Sequence, residues 1–348
     1  MKINLESIPG PERQIGDTSY LYFGGTSYLG MQTDARFQEE LASFTIKIGT
    51  HWGASRAGNL VLSVYNKTEA SLAKWVGSES CLTLSSGFMA ARILVEYFNT
   101  PGYSCLFSPN CHEALLPPGG QRAANWSELY SEIGKEIQKD RTPVVFTDTV
   151  GGEETPGPVI EQLEALPQEC ILVADDSHGI GVCGSQGSGS WNALQKFNFR
   201  DLLLCSSLGK ALGITAGLVA GPGRILDKLR KTPFFEGASP PPPAGVATLG
   251  VGLSKGWYEQ QYKRLLQNTT YFYKLTNHLQ LLKSQPPYPV FYFTNPKLAQ
   301  YLRENLVLIT DFEYAAEAGS YSPKRIVISS AHGKEHLEKL AQVLNGFK

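Results

Sequence analysis

Two short apolar runs, each followed by residues able to do chemistry, are the most informative feature of this sequence. Residues 171–174 read ILVA and lead directly to Asp175, with His178 three positions further on. Residues 202–205 read LLLC and lead through SSLG to Lys210. Short apolar runs bounded by turn residues indicate buried parallel strands, and ligands of α/β proteins collect at the ends of such strands. The pattern predicts that an acid, an imidazole and an amine meet there.

These three groups are the ones that pyridoxal 5'-phosphate (PLP) chemistry requires. The Lys210 amine would form a Schiff base with the PLP aldehyde, and the Asp175 carboxylate would keep the pyridine nitrogen protonated. Each residue alone has a plainer interpretation. A lysine beside glycine is usually a solvated loop residue, an aspartate after an apolar run is usually a cap or turn former, and a single histidine is usually structural. Their combination and order favour the PLP site.

Strand-like and helical patterns alternate along the chain around these residues. The strand-like runs lie at 82–84, 104–108, 143–147, 171–174, 202–205 and 216–220. Such alternation favours a sheet with helices on both faces. Four consecutive prolines at 240–243 prevent a helix from continuing through this segment, and a largely helical pattern follows to residue 282. Strands near 289–293 and 325–329 and a final helix at 333–347 suit a smaller α+β domain.

Composition narrows the possible classes of protein. The 348 residues are enough for one large domain and a smaller one. With a net charge of −1, the chain lacks the excess positive charge that is typical of nucleic-acid-binding proteins. No stretch approaches about 18 apolar residues, so no membrane span is predicted. The six cysteines include no CxxC pair, and no metal site is predicted. A cytoplasmic location is expected.

Two segments closely resemble the α-oxoamine synthase family of fold-type I PLP-dependent enzymes, and within it the 8-amino-7-oxononanoate synthases. Residues 172–189, LVADDSHGIGVCGSQGSG, are similar to the family's LVDEAHGTGVLGxxGxG, with Asp175 and His178 on its Asp and His. Residues 206–217, SSLGKALGITAG, resemble GTFSKALGxxGG and place Lys210 on the Schiff-base lysine. The resemblance therefore implies PLP as the cofactor.

A fold and a division of the chain follow from the resemblance, which extends from about Tyr20 to His332. The implied fold class is α/β, PLP-dependent transferase fold type I. It has a large domain with a mostly parallel seven-stranded sheet and a smaller α+β C-terminal domain. We expect an N-terminal segment at 1–45, a large PLP-binding domain at 46–235 and a small C-terminal domain at 236–348.

The phosphate of PLP needs backbone donors at the start of a helix. Ser86, Gly87 and Phe88 follow a strand-like run and precede the apolar helical segment 89–97. The amides and the dipole of a helix N-terminus favour a dianion. The family's SSGxxAN segment holds the phosphate, so the resemblance implies the same role for these three residues. It also implies Ser207, three positions before the lysine, as a second phosphate ligand.

Shorter motifs imply three further site residues, His112, Arg325 and Thr26, and the resemblance also gives His178 a role. Residues 110–114, NCHEA, resemble the family's NHAS, whose His stacks on the pyridine ring, and so imply His112 for that role. His178 is expected beside the ring hydroxyl. Arg325 opens RIVISSAH, which resembles RISLTAAH, and is implied to bind the substrate carboxylate, for which its planar guanidinium is suited. Thr26 replaces the substrate-contacting Asn of the pattern FxSNDYLG, and we expect Thr26 to contact the substrate at this position.

Two departures from the family pattern bear on the substrate and on subunit contacts. Tyr65 stands where a His begins the HxxLE pattern, although Glu69 is retained. Glu236 and Gly237 occupy a Ser-Thr pair whose Thr reaches the phosphate of the neighbouring subunit in relatives. That contact is either lost or taken over by Ser239.

The activity implied by the resemblance is that of a PLP-dependent acyltransferase. It condenses an amino acid with an acyl-CoA, with loss of carbon dioxide, to give an α-amino ketone. Lys210, Asp175, His178 and His112 are the implied catalytic residues. The residues alone leave two alternative functions open. One is another fold-type I PLP enzyme, such as glycine C-acetyltransferase, a serine palmitoyltransferase-like enzyme or an aminotransferase. The other is a non-catalytic binding protein that kept the fold.

Fold-type I enzymes are homodimers with shared active sites, so the resemblance implies the same assembly here. The segments 49–58 and 234–239 are the expected contributors across the interface. Burial in a dimer would explain why Trp52, Phe234 and Phe235 stand in loop-like segments, where exposed aromatic side chains would otherwise promote aggregation. The plainer interpretation is that these side chains pack within their own subunit.

Overall fold

The protein is described here by a computed structural model that covers residues 4–310 and 324–347. Its strands are β1 (Glu12–Ile15), β2 (Thr18–Tyr22), β3 (Ser80–Leu84), β4 (Tyr103–Phe107), β5 (Thr142–Asp148), β6 (Val150–Gly151), β7 (Gly157–Pro158), β8 (Ile171–Asp175), β9 (Asp201–Ser207), β10 (Gly217–Gly221), β11 (Val290–Phe293), β12 (Val307–Leu308) and β13 (Lys324–Val327). Its helices are α1 (Ala35–Ile48), α2 (Ser63–Val76), α3 (Gly87–Phe98), α4 (Trp126–Gln138), α5 (Ile160–Glu164), α6 (Trp191–Leu194), α7 (Gly223–Leu229), α8 (Pro233–Glu236), α9 (Pro243–Ser254), α10 (Trp257–Thr276), α11 (Pro296–Glu304) and α12 (Lys334–Asn345).

A mostly parallel sheet forms the centre of the molecule, with the strand order β3-β10-β9-β8-β5-β4. The four strands β9, β8, β5 and β4 pair in parallel, and β10 runs antiparallel to both of its neighbours. Each of the six strand-like runs of the sequence forms one of these strands. Within the described residues the sheet thus has six strands, one fewer than the resemblance implied. Between β4 and β5 the sequence Pro117-Pro118-Gly119-Gly120 disfavours a further strand.

Both faces of this sheet are buried, as the uninterrupted apolar runs predict. Along β8, Ile171 and Val173 belong to one hydrophobic core, while Leu172 and Ala174 belong to another on the opposite face. The helices therefore cover the sheet on both sides. The strand register then aligns the strand ends, because Asp148 of β5 pairs with Asp175 of β8.

A third hydrophobic core lies near the C-terminus. It joins side chains from α10, the antiparallel pair β11 and β13, and α12, among them Phe272, Phe291, Ile326 and Leu337. The predicted helical stretch after the prolines is present as α9 and α10, with α9 beginning at Pro243. The division of the chain into three parts at 45 and 235 stays a prediction.

Two expected absences can be examined in the described residues. None of the helices there is long and apolar enough to cross a membrane. The same residues contain no cluster of three or more histidine, cysteine or acidic side chains able to hold a metal ion.

Candidate active site

The amine and the imidazole predicted from the sequence are in direct contact. Lys210 follows β9, and its Nζ lies 2.9 Å from His178 Nε2. The other ring nitrogen, Nδ1, lies 2.8 Å from the Tyr28 hydroxyl. Burial and the nearby charge of Lys210 lower the pKa of His178 well below its usual value, and burial also lowers the pKa of Lys210. The imidazole is therefore neutral at physiological pH.

Two carboxyl groups lie side by side at the strand ends. Asp175 ends β8 and accepts a hydrogen bond from the Ser177 amide at 2.8 Å. Asp148 ends β5 and accepts one from the His112 amide at 3.1 Å. Burial and the charge of Asp175 raise the pKa of Asp148 well above its ordinary value. The closeness of the two groups therefore disfavours a second negative charge at these strand ends.

The predicted phosphate-binding segment forms the N-terminus of α3. The Ser86 hydroxyl caps the helix by accepting from the Met89 amide at 3.1 Å. In the described residues no hydrogen-bond acceptor is found for the amides of Gly87 and Phe88. The Phe88 side chain is exposed, and Ser207 lies directly against Gly87. Free amides at a helix start are the donors that a phosphate dianion needs.

Gly87 is required for the close approach of α3 to β9. A Cβ atom there would lie 2.5 Å from the Cβ of Ser207 and 2.7 Å from its Cα. We expect Gly87→Ala to displace the first turn of α3, to destabilise the protein by about 1–3 kcal/mol and to weaken PLP binding. Urea unfolding and PLP titration would measure the two effects.

Gly134 supplies the matched control, since it lies inside α4 and a Cβ there would meet nothing within 4 Å. Gly134→Ala should leave PLP binding unchanged and stabilise the protein by roughly 0.5–1 kcal/mol. Equal PLP affinity in the two variants would show that Gly87 does not contribute to phosphate binding.

A cavity of about 640 Å³ opens beside these groups. His112, His178 and Arg325 all line it, together with Asp148 and Tyr292. His112 lies at its wall, where its Nδ1 accepts from the Ala114 amide at 3.1 Å, and burial lowers the pKa of its ring. Arg325 pairs across β13 and β11 with Tyr292 and hydrogen-bonds to it. The cavity thus has a guanidinium on one side and an imidazole on another.

Thr26 is placed differently from the other predicted residues. It lies in the turn before Tyr28, where its carbonyl accepts from the Tyr28 amide at 2.9 Å. Among the described residues that line the cavity, Thr26 is absent. Its role as a substrate contact stays a prediction.

The retained Glu69 has a structural explanation. It is buried on α2 and pairs with the equally buried Arg56 at 2.7 Å, and it also accepts from the Thr83 amide. Arg56 in turn stacks over the rings of Tyr65 and Phe235, at 4.6 and 5.3 Å from their centres. The glutamate therefore fixes the loop that contains residues 49–58.

Phe235 corrects one expectation about exposed aromatic residues. It is buried within its own subunit under Arg56, whereas Phe234 is 40% exposed and Trp52 is half-buried. The Ser55 hydroxyl donates to the Glu236 carbonyl at 2.6 Å, so the segments 49–58 and 234–239 touch within one chain.

Several residues of the site were not identified from the sequence. Asp148 follows an apolar run just as Asp175 does, and that position was an available signal. Tyr28 lies inside a motif that was noted, but no role was assigned to it. Tyr288 and Tyr292 come from a distant part of the chain and carry no local pattern.

The donor set fits PLP. A carboxylate suits the pyridine nitrogen, a buried amine suits the aldehyde, and the free amides of α3 beside Ser207 suit the phosphate. The close packing of Gly87 on Ser207 keeps these two phosphate donors together.

The chain is similar to known proteins in sequence and in fold. The family model described as aminotransferase class I and II matches residues 133–344. An 8-amino-7-oxononanoate synthase of Hahella chejuensis is 27% identical over 372 residues, which cover 100% of this chain and 92% of the relative. The solved serine palmitoyltransferase of Sphingomonas wittichii has a TM-score of 0.83 at 17% identity, covering 97% of this chain and 90% of that one. A structure described as SPT with PLP has a TM-score of 0.84 at 17% identity, with coverages of 99% and 91%.

Proposed function

The chain belongs to the aminotransferase class I and II family, and on that premise we propose that it is a PLP-dependent acyltransferase of the α-oxoamine synthase type. It condenses an amino acid with an acyl-CoA and releases carbon dioxide and CoA, which leaves an α-amino ketone. The observation that carries this proposal is the contact between Lys210 and His178 beside Asp175, at a cavity that also contains Arg325. The relative from Hahella chejuensis, matched along the whole chain, supports the reaction class.

PLP, when bound, supplies an aldehyde and a pyridine ring that accepts an electron pair. Lys210 would hold it covalently, and Asp175 would hold the proton on its ring nitrogen. The amides of Gly87 and Phe88, with Ser86 and Ser207, would hold its phosphate. His112 would cover one face of the ring, and His178 would donate to or accept from the ring hydroxyl.

The remaining groups act on the substrate. Arg325 binds the α-carboxylate of the amino acid, because its planar guanidinium matches two carboxylate oxygens. The Lys210 amine removes the α-proton, and its lowered pKa increases the fraction present as free base. Asp148 lies beside Asp175, and burial together with the Asp175 charge raises its pKa and so favours its neutral form.

The bond changes balance without an outside oxidant or reductant. The substrate α-carbon, after losing its proton to Lys210, attacks the thioester carbonyl. The carbon–sulfur bond breaks, and CoA leaves as the thiol. The α-carboxylate then leaves as carbon dioxide, and the α-carbon regains a proton to give the α-amino ketone.

A screen for free CoA tests the proposal. The PLP-loaded protein is mixed with acyl-CoAs of increasing chain length and with L-alanine, glycine or L-serine. We expect CoA release that requires both the amino acid and PLP. An amino acid converted to its oxo acid without any free CoA would instead identify an aminotransferase.

The active unit is proposed to be a homodimer with shared active sites. Exposed apolar side chains on or near the segments 49–58 and 234–239 support this, namely those of Ile46, Leu60, Val61 and Phe234. Sedimentation at micromolar concentration should give a mass near twice 38.1 kDa. A stable, active, PLP-loaded monomer would contradict the shared-site assembly.

A further inference from the structure

A buried carboxyl group beside the active site has no part in the chemistry described above. Asp176 follows Asp175 directly and is 1% exposed. Its Oδ1 accepts hydrogen bonds from the hydroxyls of Thr149 at 2.6 Å and Ser190 at 2.7 Å, and its Oδ2 accepts one from the Ser190 amide at 3.0 Å. One side chain therefore joins the residue after β8 to the residue after β5 and to the start of α6.

The backbone packs closely around this carboxyl group. A Cβ atom on Gly179 would overlap Asp176 Oδ1, and one on Gly189 would overlap Oδ2. The Asp176 amide donates to the Cys205 carbonyl at 2.8 Å, and the Asp176 carbonyl accepts from the amides of Gly179 and Ile180 at 2.9 and 2.8 Å. The side chain and the backbone of Asp176 are therefore both fixed.

The turn that Asp176 begins carries two side chains to the end of β9. Ser177 Oγ accepts from the Ser207 amide at 2.8 Å, and His178 Nε2 lies 2.9 Å from Lys210 Nζ. Ser207 and Lys210 are the groups expected at the phosphate and at the aldehyde of PLP. A shift of this turn would therefore change contacts at both ends of the cofactor site.

Stability alone does not explain a charged group at this place. All three donors to the carboxyl group are uncharged. Burial and, to a smaller extent, the charge of Asp175 raise the pKa of Asp176 to about 6. A charge buried among uncharged donors costs free energy that hydrogen bonds only partly offset. The arrangement of these hydrogen bonds is therefore the more specific contribution of Asp176.

We propose that Asp176 is a positioning residue: its carboxyl group holds the turn that carries Ser177 and His178 against the end of β9. This keeps His178 at hydrogen-bond distance from the Lys210 amine and keeps Ser207 beside the N-terminus of α3. The position of the turn can be measured without PLP. Only the effect on removal of the α-proton rests on the proposed function.

Exchange of the Ser207 amide with deuterium tests the position of the turn in the PLP-free protein. This amide is bonded to Ser177 and not to Asp176, so it reports on the turn rather than on the lost carboxyl group. Asp176→Ala removes all three hydrogen bonds and should speed Ser207 exchange by about 10-fold or more. Ser190→Ala removes only one of them and should speed it less. Mass spectrometry of fragmented peptides measures both.

Asp201→Ala is the matched control. Asp201 is 8% exposed and pairs with Arg224 at the start of β9, whereas Ser207 ends the same strand. This variant also removes a buried aspartate carboxyl group, so it measures the general structural cost. It should leave the exchange of the Ser207 amide unchanged.

Asp176→Asn is the conservative variant and should restore the position of the turn. Its carbonyl can accept from the Ser190 amide, and the hydroxyls of Thr149 and Ser190 can rotate to accept from its NH₂ group. Exchange of the Ser207 amide should therefore stay within about threefold of the wild-type rate.

The second measurement is exchange of the α-proton of glycine, L-alanine or L-serine with deuterium in the PLP-loaded protein, which needs no acyl-CoA. Asp176→Ala should slow it by about 10- to 100-fold with little change in KM, because a small displacement of a reacting group is costly. Asp176→Asn and Asp201→Ala should stay near the wild-type rate.

The proposal requires faster exchange of the Ser207 amide in Asp176→Ala and in Ser190→Ala, together with its rescue in Asp176→Asn. Unchanged exchange of that amide, or an equal change in Asp201→Ala, overturns it. A wild-type protein that exchanged the α-proton of none of the three amino acids would instead contradict the proposed function. The Ser207 measurement would still decide whether Asp176 positions the turn.

Discussion

Replacing Lys210 with alanine is expected to abolish covalent attachment of PLP and to lower turnover by about 10⁴-fold or more. The reason is that one amine both carries the cofactor and removes the α-proton. Water that fills the space left by alanine is a much weaker base than an amine, so it cannot replace Lys210. Borohydride reduction followed by mass spectrometry measures attachment, and CoA release measures turnover.

Lys196→Ala controls for the loss of a lysine, because Lys196 is exposed and lies away from the cavity. It should keep both the covalent cofactor and the wild-type rate. A Lys210→Ala protein that turned over at the wild-type rate would place the catalytic amine elsewhere in the chain.

Asp175→Asn is expected to bind PLP but to exchange the substrate α-proton about 10²- to 10⁴-fold more slowly. An amide has nearly the same shape as the carboxylate but lacks the charge that favours a protonated pyridine nitrogen. PLP titration and exchange of the α-proton into deuterated solvent separate the effect on binding from the effect on chemistry.

The neighbouring carboxyl provides a matched comparison. Burial and the charge of Asp175 raise the pKa of Asp148 and so favour its neutral form, which an asparagine resembles. Asp148→Asn should therefore slow α-proton exchange much less than Asp175→Asn. Equal decreases in the rate of α-proton exchange in the two variants would show that Asp175 does not act through the ring nitrogen.

The strands that hold the chemistry were predictable because they are buried on both faces. Ile171 to Ala174 and Leu202 to Cys205 are apolar without interruption, which is the pattern of strands covered by helices on both sides. Parallel pairing then aligns their carboxyl ends, and this alignment is why Asp175 and Lys210 lie at the same edge. Their order along the sequence therefore predicted that Asp175 and Lys210 would lie at the same edge of the sheet.

The tyrosines of the site could not be predicted in the same way. Tyr28 and Tyr288 are far apart in the sequence. Only long-range packing brings the Tyr28 hydroxyl within 2.8 Å of His178 Nδ1 and places Tyr288 at the wall of the cavity. The burial of Phe235 could not be predicted from the sequence either. It depends on Arg56, and the position of Arg56 depends on Glu69. Long-range packing of this kind leaves no local pattern.

The most direct test of the acyltransferase function uses an amino acid labelled with ¹³C at its carboxyl carbon. The PLP-loaded protein, the labelled amino acid and an acyl-CoA are incubated together, and labelled carbon dioxide and free CoA are measured in the same sample. A decarboxylative condensation predicts that the two appear in equal amounts and that both disappear in Lys210→Ala. CoA released without labelled carbon dioxide, or labelled carbon dioxide released without CoA, would contradict it.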